Sequence, residues 1–192
     1  MSVLDDPRTI VRIAVTAIVP TDALEGNHRA EALAWIDSGA PLFRVAKPDQ
    51  PPQHLVSYFV LVDTARRKLL LVDHIKSGLW LPAGGHVEPY EDPRTTVKRE
   101  SLEELSKPAS FATYVGGNPI FITTTITVDR GHTDVSLWYV LVGDSEEPLD
   151  YDTREFRGIM WLSIEEVLGT DVSKLDPHMH RFVRKLQTLI PV

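Results

Sequence analysis

Acidic side chains concentrate in one short stretch of the chain, where Glu103 and Glu104 lie three and four residues after Glu100. On a helix these spacings place the three carboxylates on one face, where like charges repel one another. A helix that gathers them needs a compensating cation. Hard divalent ions prefer oxygen ligands and share them with substrate phosphates. The pattern therefore predicts a Mg²⁺ site, with Mn²⁺ as a substitute, and its alternative is a solvated acidic face.

The residues before the glutamates must position them. Asp92-Pro93 combines an N-cap residue with a proline at the first helical position, which predicts a helix over residues 93–105. Upstream of it, Gly84-Gly85 allows backbone conformations that other residues avoid, so a carbonyl can closely approach an ion. A loop followed by a helix is thus expected to carry the chemistry.

A second pair of charged residues brackets this loop and helix. Glu91 precedes Arg99 by eight residues, and a two-bond pair between the carboxylate and the guanidinium would tie the loop to the helix. Such bracing would hold metal ligands in a fixed geometry.

Residues 85–107 resemble the Nudix box, which reads glycine, five residues, glutamate, seven residues, Arg-Glu, an apolar residue, any residue, Glu-Glu, any residue and glycine. The matching positions are Gly85, Glu91, Arg99, Glu100, Glu103 and Glu104. Two positions depart, because Ser101 replaces the apolar residue and Ser106 replaces the closing glycine. Both are positions where a helix packs or ends, so we expect the departures to affect local stability rather than metal binding.

The resemblance implies a role for each matching residue. Glu100 and Glu104 are implied to bind the metal directly. Glu103 is implied to bind it directly or through water, and the Gly84 carbonyl completes the set.

The resemblance also implies one further catalytic carboxylate, from a loop after the later strands. Glu155 occupies the similar place in this chain, and Asp152 is the alternative. The implied reaction is substitution at phosphorus by a water molecule that metal ions activate. The leading hypothesis is hydrolysis of a nucleoside triphosphate, standard or oxidised, to the monophosphate and pyrophosphate.

Two other functions stay open at this point. One is a pyrophosphatase of ADP-ribose or another nucleotide sugar. The other, from a different class, is a catalytically inactive Nudix-fold module that binds nucleotides or regulates. An isomerase of isopentenyl diphosphate shares the fold but relies on a cysteine, and this chain has none.

Several residues outside the box have both functional and structural interpretations. The substrate-binding candidates are His74, Lys76, Phe121, His132, Asp134 and Trp138. An exposed surface position suits His74 and Lys76 equally well, whereas hydrogen bonding within a turn is favoured for His132 and Asp134.

Composition narrows the class of protein further. A net charge of −7 and a pI near 5.5 argue against a nucleic acid polymer as partner, since that binding relies on Lys and Arg. No segment reaches the roughly 18 apolar residues that cross a bilayer, and the N-terminus does not resemble a secretory signal. We therefore expect a cytoplasmic enzyme with a small nucleotide or other diphosphate substrate, and a homodimer is compatible with the sequence.

The remaining elements indicate a mixed α/β chain. We divide it into an N-terminal helical extension at residues 1–46, a Pro-rich linker at 47–53 and a Nudix hydrolase domain at 54–192. Apolar alternation predicts strands at 55–62, 68–72, 79–81, 120–128, 135–142 and 159–162. A C-terminal amphipathic helix is predicted at 177–189. The expected fold is a Nudix-type α/β/α sandwich around a mixed β-sheet, with the helical extension added.

Overall fold

The secondary-structure elements alternate along the chain as an α/β protein requires. A computed structural model describes residues 6–46, 50–127 and 131–191. The helices are α1 (Pro7–Ala17), α2 (Ala23–Asp37), α3 (Pro93–Leu105), α4 (Ile164–Gly169) and α5 (Met179–Leu189). The strands are β1 (Gln53–Asp63), β2 (Lys68–His74), β3 (Trp80–Leu81), β4 (Ala83–His86), β5 (Phe121–Ile126), β6 (Thr133–Val142) and β7 (Phe156–Ser163).

The seven strands belong to one sheet, whose main path runs β3-β2-β1-β6-β5. Strand β4 pairs with β1, and β7 pairs with β2. The pairs β1–β2, β2–β3, β2–β7 and β5–β6 are antiparallel. A mixed α/β fold that includes an N-terminal helical segment is therefore confirmed.

The chain forms two compact units. The first comprises Met1–Tyr58, Gly85–Val97 and Asn118–Trp138. Within it α1 packs on α2, and α2 packs on β5. Val11, Val15 and Ile36 are buried on the helices, so the N-terminal helices contribute to the core of this unit.

The second unit comprises Phe59–Gly84, Lys98–Gly117 and Tyr139–Val192. Strand β2 pairs with β7 over most of its length, and α4 contacts both β7 and α5. Along α5 the residues Phe182, Val183 and Leu186 are fully buried, which gives the predicted C-terminal helix its apolar face. The linear division at residues 46 and 53 stays a prediction.

The helix ends follow from local capping. Helix α1 begins after Asp6, whose carboxylate accepts a hydrogen bond from the Thr9 amide. Helix α2 begins after Asp22, whose carboxylate accepts a hydrogen bond from the Glu25 amide. The Glu25 carboxylate in turn accepts a hydrogen bond from the amide of Thr21, the residue before the cap.

Most strand bounds agree with the sequence predictions within two or three residues. Strand β5 ends at Ile126. Three parts of the predictions lie outside the described residues: the end of the predicted strand at residue 128, the turn residues 129–130 and the linker residues 47–49. Helix α4 was not predicted, and neither was β4, which forms a strand where a loop was expected at Gly84-Gly85. None of the helices formed by the described residues combines the length and apolar character needed to cross a membrane.

Candidate active site

Glu104, near the end of α3, has a buried carboxylate; the residue is only 5% exposed. Its Oε2 accepts a hydrogen bond of 2.7 Å from the Gly84 amide. Gly84 has a φ of 139°, a conformation that favours glycine, so this residue type allows the amide to point at the carboxylate. The hydrogen bond gives the Gly84 amide a role in holding Glu104, and metal binding by the Gly84 carbonyl stays a prediction.

The carboxylates of α3 perturb one another. Burial, followed by the charge of Glu100, raises the pKa of Glu104 to about 9, although the Gly84 hydrogen bond opposes the shift. Burial also raises the pKa of Glu100, against the nearby Arg99. Without a cation, Glu104 is therefore expected to be protonated at neutral pH.

Arg99 supplies part of the compensating charge. Its Nη1 lies 2.6 Å from Glu100 Oε1 and 3.4 Å from Glu103 Oε2. The Glu103 side chain is 59% exposed, whereas that of Glu100 is 13% exposed. The α3 face therefore presents one accessible carboxylate and two enclosed ones.

Glu155 belongs to the same electrostatic cluster. Its charge acts on both Glu100 and Glu104 and contributes to their raised pKa values. Asp152, the alternative further carboxylate, is held by the Arg154 guanidinium at 2.9 and 3.0 Å, and this lowers the pKa of Asp152 to about 2. This electrostatic coupling favours Glu155 over Asp152, and we define Glu100, Glu104 and Glu155 as the carboxylate cluster.

A cleft of about 310 Å³ lies beside Glu155 and is also lined by His74, Ile75, Lys76 and Arg154. Burial lowers the pKa of His74. The Ser77 amide donates to His74 Nδ1 at 3.2 Å, so the neutral ring carries its proton on Nε2. Two of the predicted substrate-binding residues, His74 and Lys76, therefore share a cleft with the predicted last carboxylate.

Glu91 stabilises the turn that leads into α3. Its Oε2 accepts from the Thr96 hydroxyl at 2.7 Å and from the Glu88 amide at 3.2 Å. Tyr90, immediately before it, has a φ of 68°. Glu91 thus acts as a local brace on the loop, and its pairing with Arg99 stays a prediction.

The two serines that depart from the box have different local roles. Ser101 is fully buried, and its hydroxyl donates to the Lys107 carbonyl at 2.6 Å. Ser101 can therefore occupy a position that is apolar in the box, because its buried hydroxyl binds the backbone carbonyl of Lys107 after the helix. Ser106 has a φ of 50°, in the left-handed region, where glycine ends a helix without strain.

Substitution Ser106→Gly is expected to raise the free energy of unfolding by about 0.5–1 kcal/mol, because glycine adopts a left-handed φ without the steric cost of a Cβ. Denaturant unfolding followed by circular dichroism measures the change. Ser106→Ala serves as the control and should give no gain. Equal stabilisation by both variants would show that the left-handed backbone is not the cause.

Phe121 and Trp138, two of the substrate-binding candidates, are both fully buried. Their rings meet edge to face at 5.6 Å, and Trp138 Nε1 donates to the Thr123 hydroxyl at 3.0 Å. Direct contact with a substrate would require these side chains to leave their packing. The structure therefore assigns them a packing role.

His132 and Asp134 lie in a second cluster with His54 and His86, two residues that occupy no defined motif position in the sequence. Asp134 Oδ1 is 3.2 Å from His132 Nε2. The Thr127 amide donates a hydrogen bond to the His132 carbonyl at 3.0 Å, and the turn role of the His132 and Asp134 side chains stays a prediction. Separations of 32 and 46 residues between the histidines give no local spacing that sequence reasoning could have used.

Comparisons with known proteins agree with one another. A family model for the NUDIX domain matches residues 52–186. A NUDIX family hydrolase from Clostridium perfringens has 20% identity and a TM-score of 0.54, over 71% of this chain and 97% of that chain. A MutT NUDIX hydrolase from Burkholderia pseudomallei has 17% identity and a TM-score of 0.54, over 70% of this chain and 98% of that chain.

An Ap4A hydrolase from C. elegans, solved as a binary complex, has 16% identity and a TM-score of 0.54, over 70% of this chain and 95% of that chain. At such identities the structural likeness is evidence for the fold. No curated protein matches the chain.

Proposed function

Because the chain belongs to the Nudix family and is a pyrophosphohydrolase by class, we propose that it uses Mg²⁺ to hydrolyse a nucleoside diphosphate-linked compound. A nucleoside triphosphate, standard or oxidised, is the first candidate, with the monophosphate and pyrophosphate as products. Mn²⁺ would be able to replace Mg²⁺.

The carboxylate cluster is the observation that carries this proposal. Burial and mutual repulsion raise the pKa of Glu104 to about 9, with contributions from Glu100 and Glu155. A divalent cation would remove the electrostatic cost of ionising the three groups together. The donor set consists of oxygen atoms alone, which suits Mg²⁺.

Glu100, Glu104 and Glu155 would hold the metal, and the exposed Glu103 would reach it directly or through water. Bound Mg²⁺ would neutralise charge on the phosphates and lower the pKa of water. The Gly84 amide keeps the Glu104 carboxylate oriented towards its neighbours through the 2.7 Å hydrogen bond. This prior orientation avoids reorganisation when substrate arrives.

The cleft beside Glu155 supports an anionic substrate. Lys76 brings positive charge to its wall, where Arg154 is already paired with Asp152, and His74 is expected to offer an Nε2–H donor. A polyphosphate could thus contact these donors while its charge is shared with a metal at the carboxylates. Lys76 and His74 are therefore proposed as phosphate-binding residues.

The test starts from protein freed of metal by chelation. We would add Mg²⁺ and a panel of standard nucleoside triphosphates, 8-oxo-dGTP, ADP-ribose and a dinucleoside tetraphosphate, and measure pyrophosphate, phosphate and nucleotide products. The proposal predicts Mg²⁺-dependent release of pyrophosphate from a triphosphate.

Other outcomes separate the alternatives. Cleavage of ADP-ribose or a nucleotide sugar in preference to triphosphates would favour the nucleotide-sugar pyrophosphatase. Tight ligand binding without turnover on any compound would favour a non-catalytic module. The proposal includes a cytoplasmic location, where nucleotides are abundant. A homodimer stays a separate prediction.

A further inference from the structure

Three histidines and an aspartate from distant parts of the sequence meet in the first unit. His54 lies in β1, His86 ends β4, His132 immediately precedes β6, and Asp134 is the second residue of β6. One ligand atom from each residue lies within 4.8 Å of the ligand atoms of the other three. We call these four residues the histidine cluster.

Asp134 Oδ1 lies close to all three imidazoles of the cluster. It is 3.4 Å from His54 Nε2, 3.8 Å from His86 Nε2 and 3.2 Å from His132 Nε2. In a tetrahedral zinc site each ligand atom lies about 2.1 Å from the ion, so any two ligand atoms are about 3.4 Å apart. The carboxylate oxygen is thus already spaced from the imidazoles as one corner of a tetrahedral site.

His54 is prepared to act as a ligand. Its side chain is fully enclosed, and its Nδ1 lies 2.8 Å from the Pro51 carbonyl oxygen. A carbonyl can only accept, so the proton sits on Nδ1 and the neutral ring has its lone pair on Nε2. A carbonyl that fixes the tautomer in this way commonly supports metal-binding histidines.

The polar atoms at the centre of the cluster also need a partner. Among the described residues, His54 Nε2 and Asp134 Oδ1 face each other at 3.4 Å, and neither atom has a well-aligned hydrogen bond. Side-chain exposure is 0% for His54 and 13% for Asp134, so bulk water is largely excluded. Buried polar atoms of this kind are costly unless an ion or another group satisfies them.

We propose that the histidine cluster is a structural site for a divalent transition metal of the Zn²⁺ type. Imidazole nitrogens with one carboxylate suit Zn²⁺, whereas the oxygen-only carboxylate cluster suits Mg²⁺. Four protein ligands fill a tetrahedral shell and leave no open position for a substrate, so the site stabilises the fold. The metal connects the starts of β1 and β6 to the end of β4.

The experiment measures zinc in the full chain, expressed with added zinc and purified without chelator. Elemental analysis should find about one zinc per chain. Asp134→Asn and His86→Ala alter partly exposed ligands, and each should weaken zinc affinity by about 100-fold or more. His178→Ala and Glu104→Gln, which leave the cluster intact, should retain zinc.

A second measurement does not depend on any variant. Wild-type protein stripped of metal should gain about 5 °C or more in Tm when excess Zn²⁺ is added, because the metal binds the folded state. Asp134→Asn should lose this gain and His178→Ala should keep it. Wild-type protein that neither retains zinc nor gains stability from it would overturn the proposal, as would Asp134→Asn that binds zinc as tightly as wild type. If the protein hydrolyses no nucleotide, the zinc content and the gain in Tm still test this proposal independently.

Discussion

Substitution Glu104→Gln is expected to lower kcat by roughly 1000-fold on the substrate that the nucleotide panel identifies. Glutamine keeps the size of the side chain and can still accept the hydrogen bond from the Gly84 amide. It removes the charge that would hold the metal between Glu100 and Glu155. The expected loss therefore comes from metal binding and transition-state charge rather than from misfolding.

Glu165→Gln is the matched control, since it makes the same chemical change at an exposed position on α4. Its kcat and KM should equal those of wild type. Steady-state kinetics over a range of Mg²⁺ concentrations measures both variants. Turnover by Glu104→Gln at the wild-type rate would remove Glu104 from the catalytic assignment.

The same substitution is expected to stabilise the metal-free protein at alkaline pH. Glu104 has a pKa of about 9 in the folded chain, raised from 4.5 by burial and by neighbouring carboxylates. The folded state therefore holds a proton that the unfolded state releases, and stability is lost as pH rises from about 4.5 towards 9. Glutamine does not titrate, so the variant avoids this loss.

Between pH 5 and pH 8 the stability of Glu104→Gln relative to wild type should rise by about 2–4 kcal/mol. Denaturant unfolding in the presence of a chelator measures the difference, and added Mg²⁺ should reduce it by favouring the ionised wild-type carboxylate. Glu165→Gln should show no such trend. A constant difference across this pH range would show that Glu104 is already ionised in the metal-free fold.

Local sequence rules accounted for the part of the site that lies on one helix. Asp92-Pro93 and the box spacing predicted the bounds of α3, and the structure has them at Pro93–Leu105. Capping and helical periodicity act over three or four residues, so a single segment contains the information. The missed helix α4 also carried such a signal, because Ser163 and Glu166 form a capping box.

Longer-range features could not be obtained in this way. The amide hydrogen bond from Gly84 to Glu104 joins residues twenty positions apart and depends on how the loop closes. The histidine cluster needs the starts of β1 and β6 and the end of β4 to meet, which strand pairing decides. Ser106 in a left-handed conformation is a case where tertiary context overrides the preference for glycine.

The central claim is that the carboxylate cluster binds the divalent ion on which hydrolysis depends. A titration of metal-free protein with Mn²⁺ tests this claim most directly. Electron paramagnetic resonance measures the bound ion, and turnover is assayed in the same samples. We predict that turnover rises in proportion to occupancy of a site that Glu104→Gln loses and Glu165→Gln keeps. Turnover without bound metal, or Mn²⁺ affinity unchanged in Glu104→Gln, would contradict the claim.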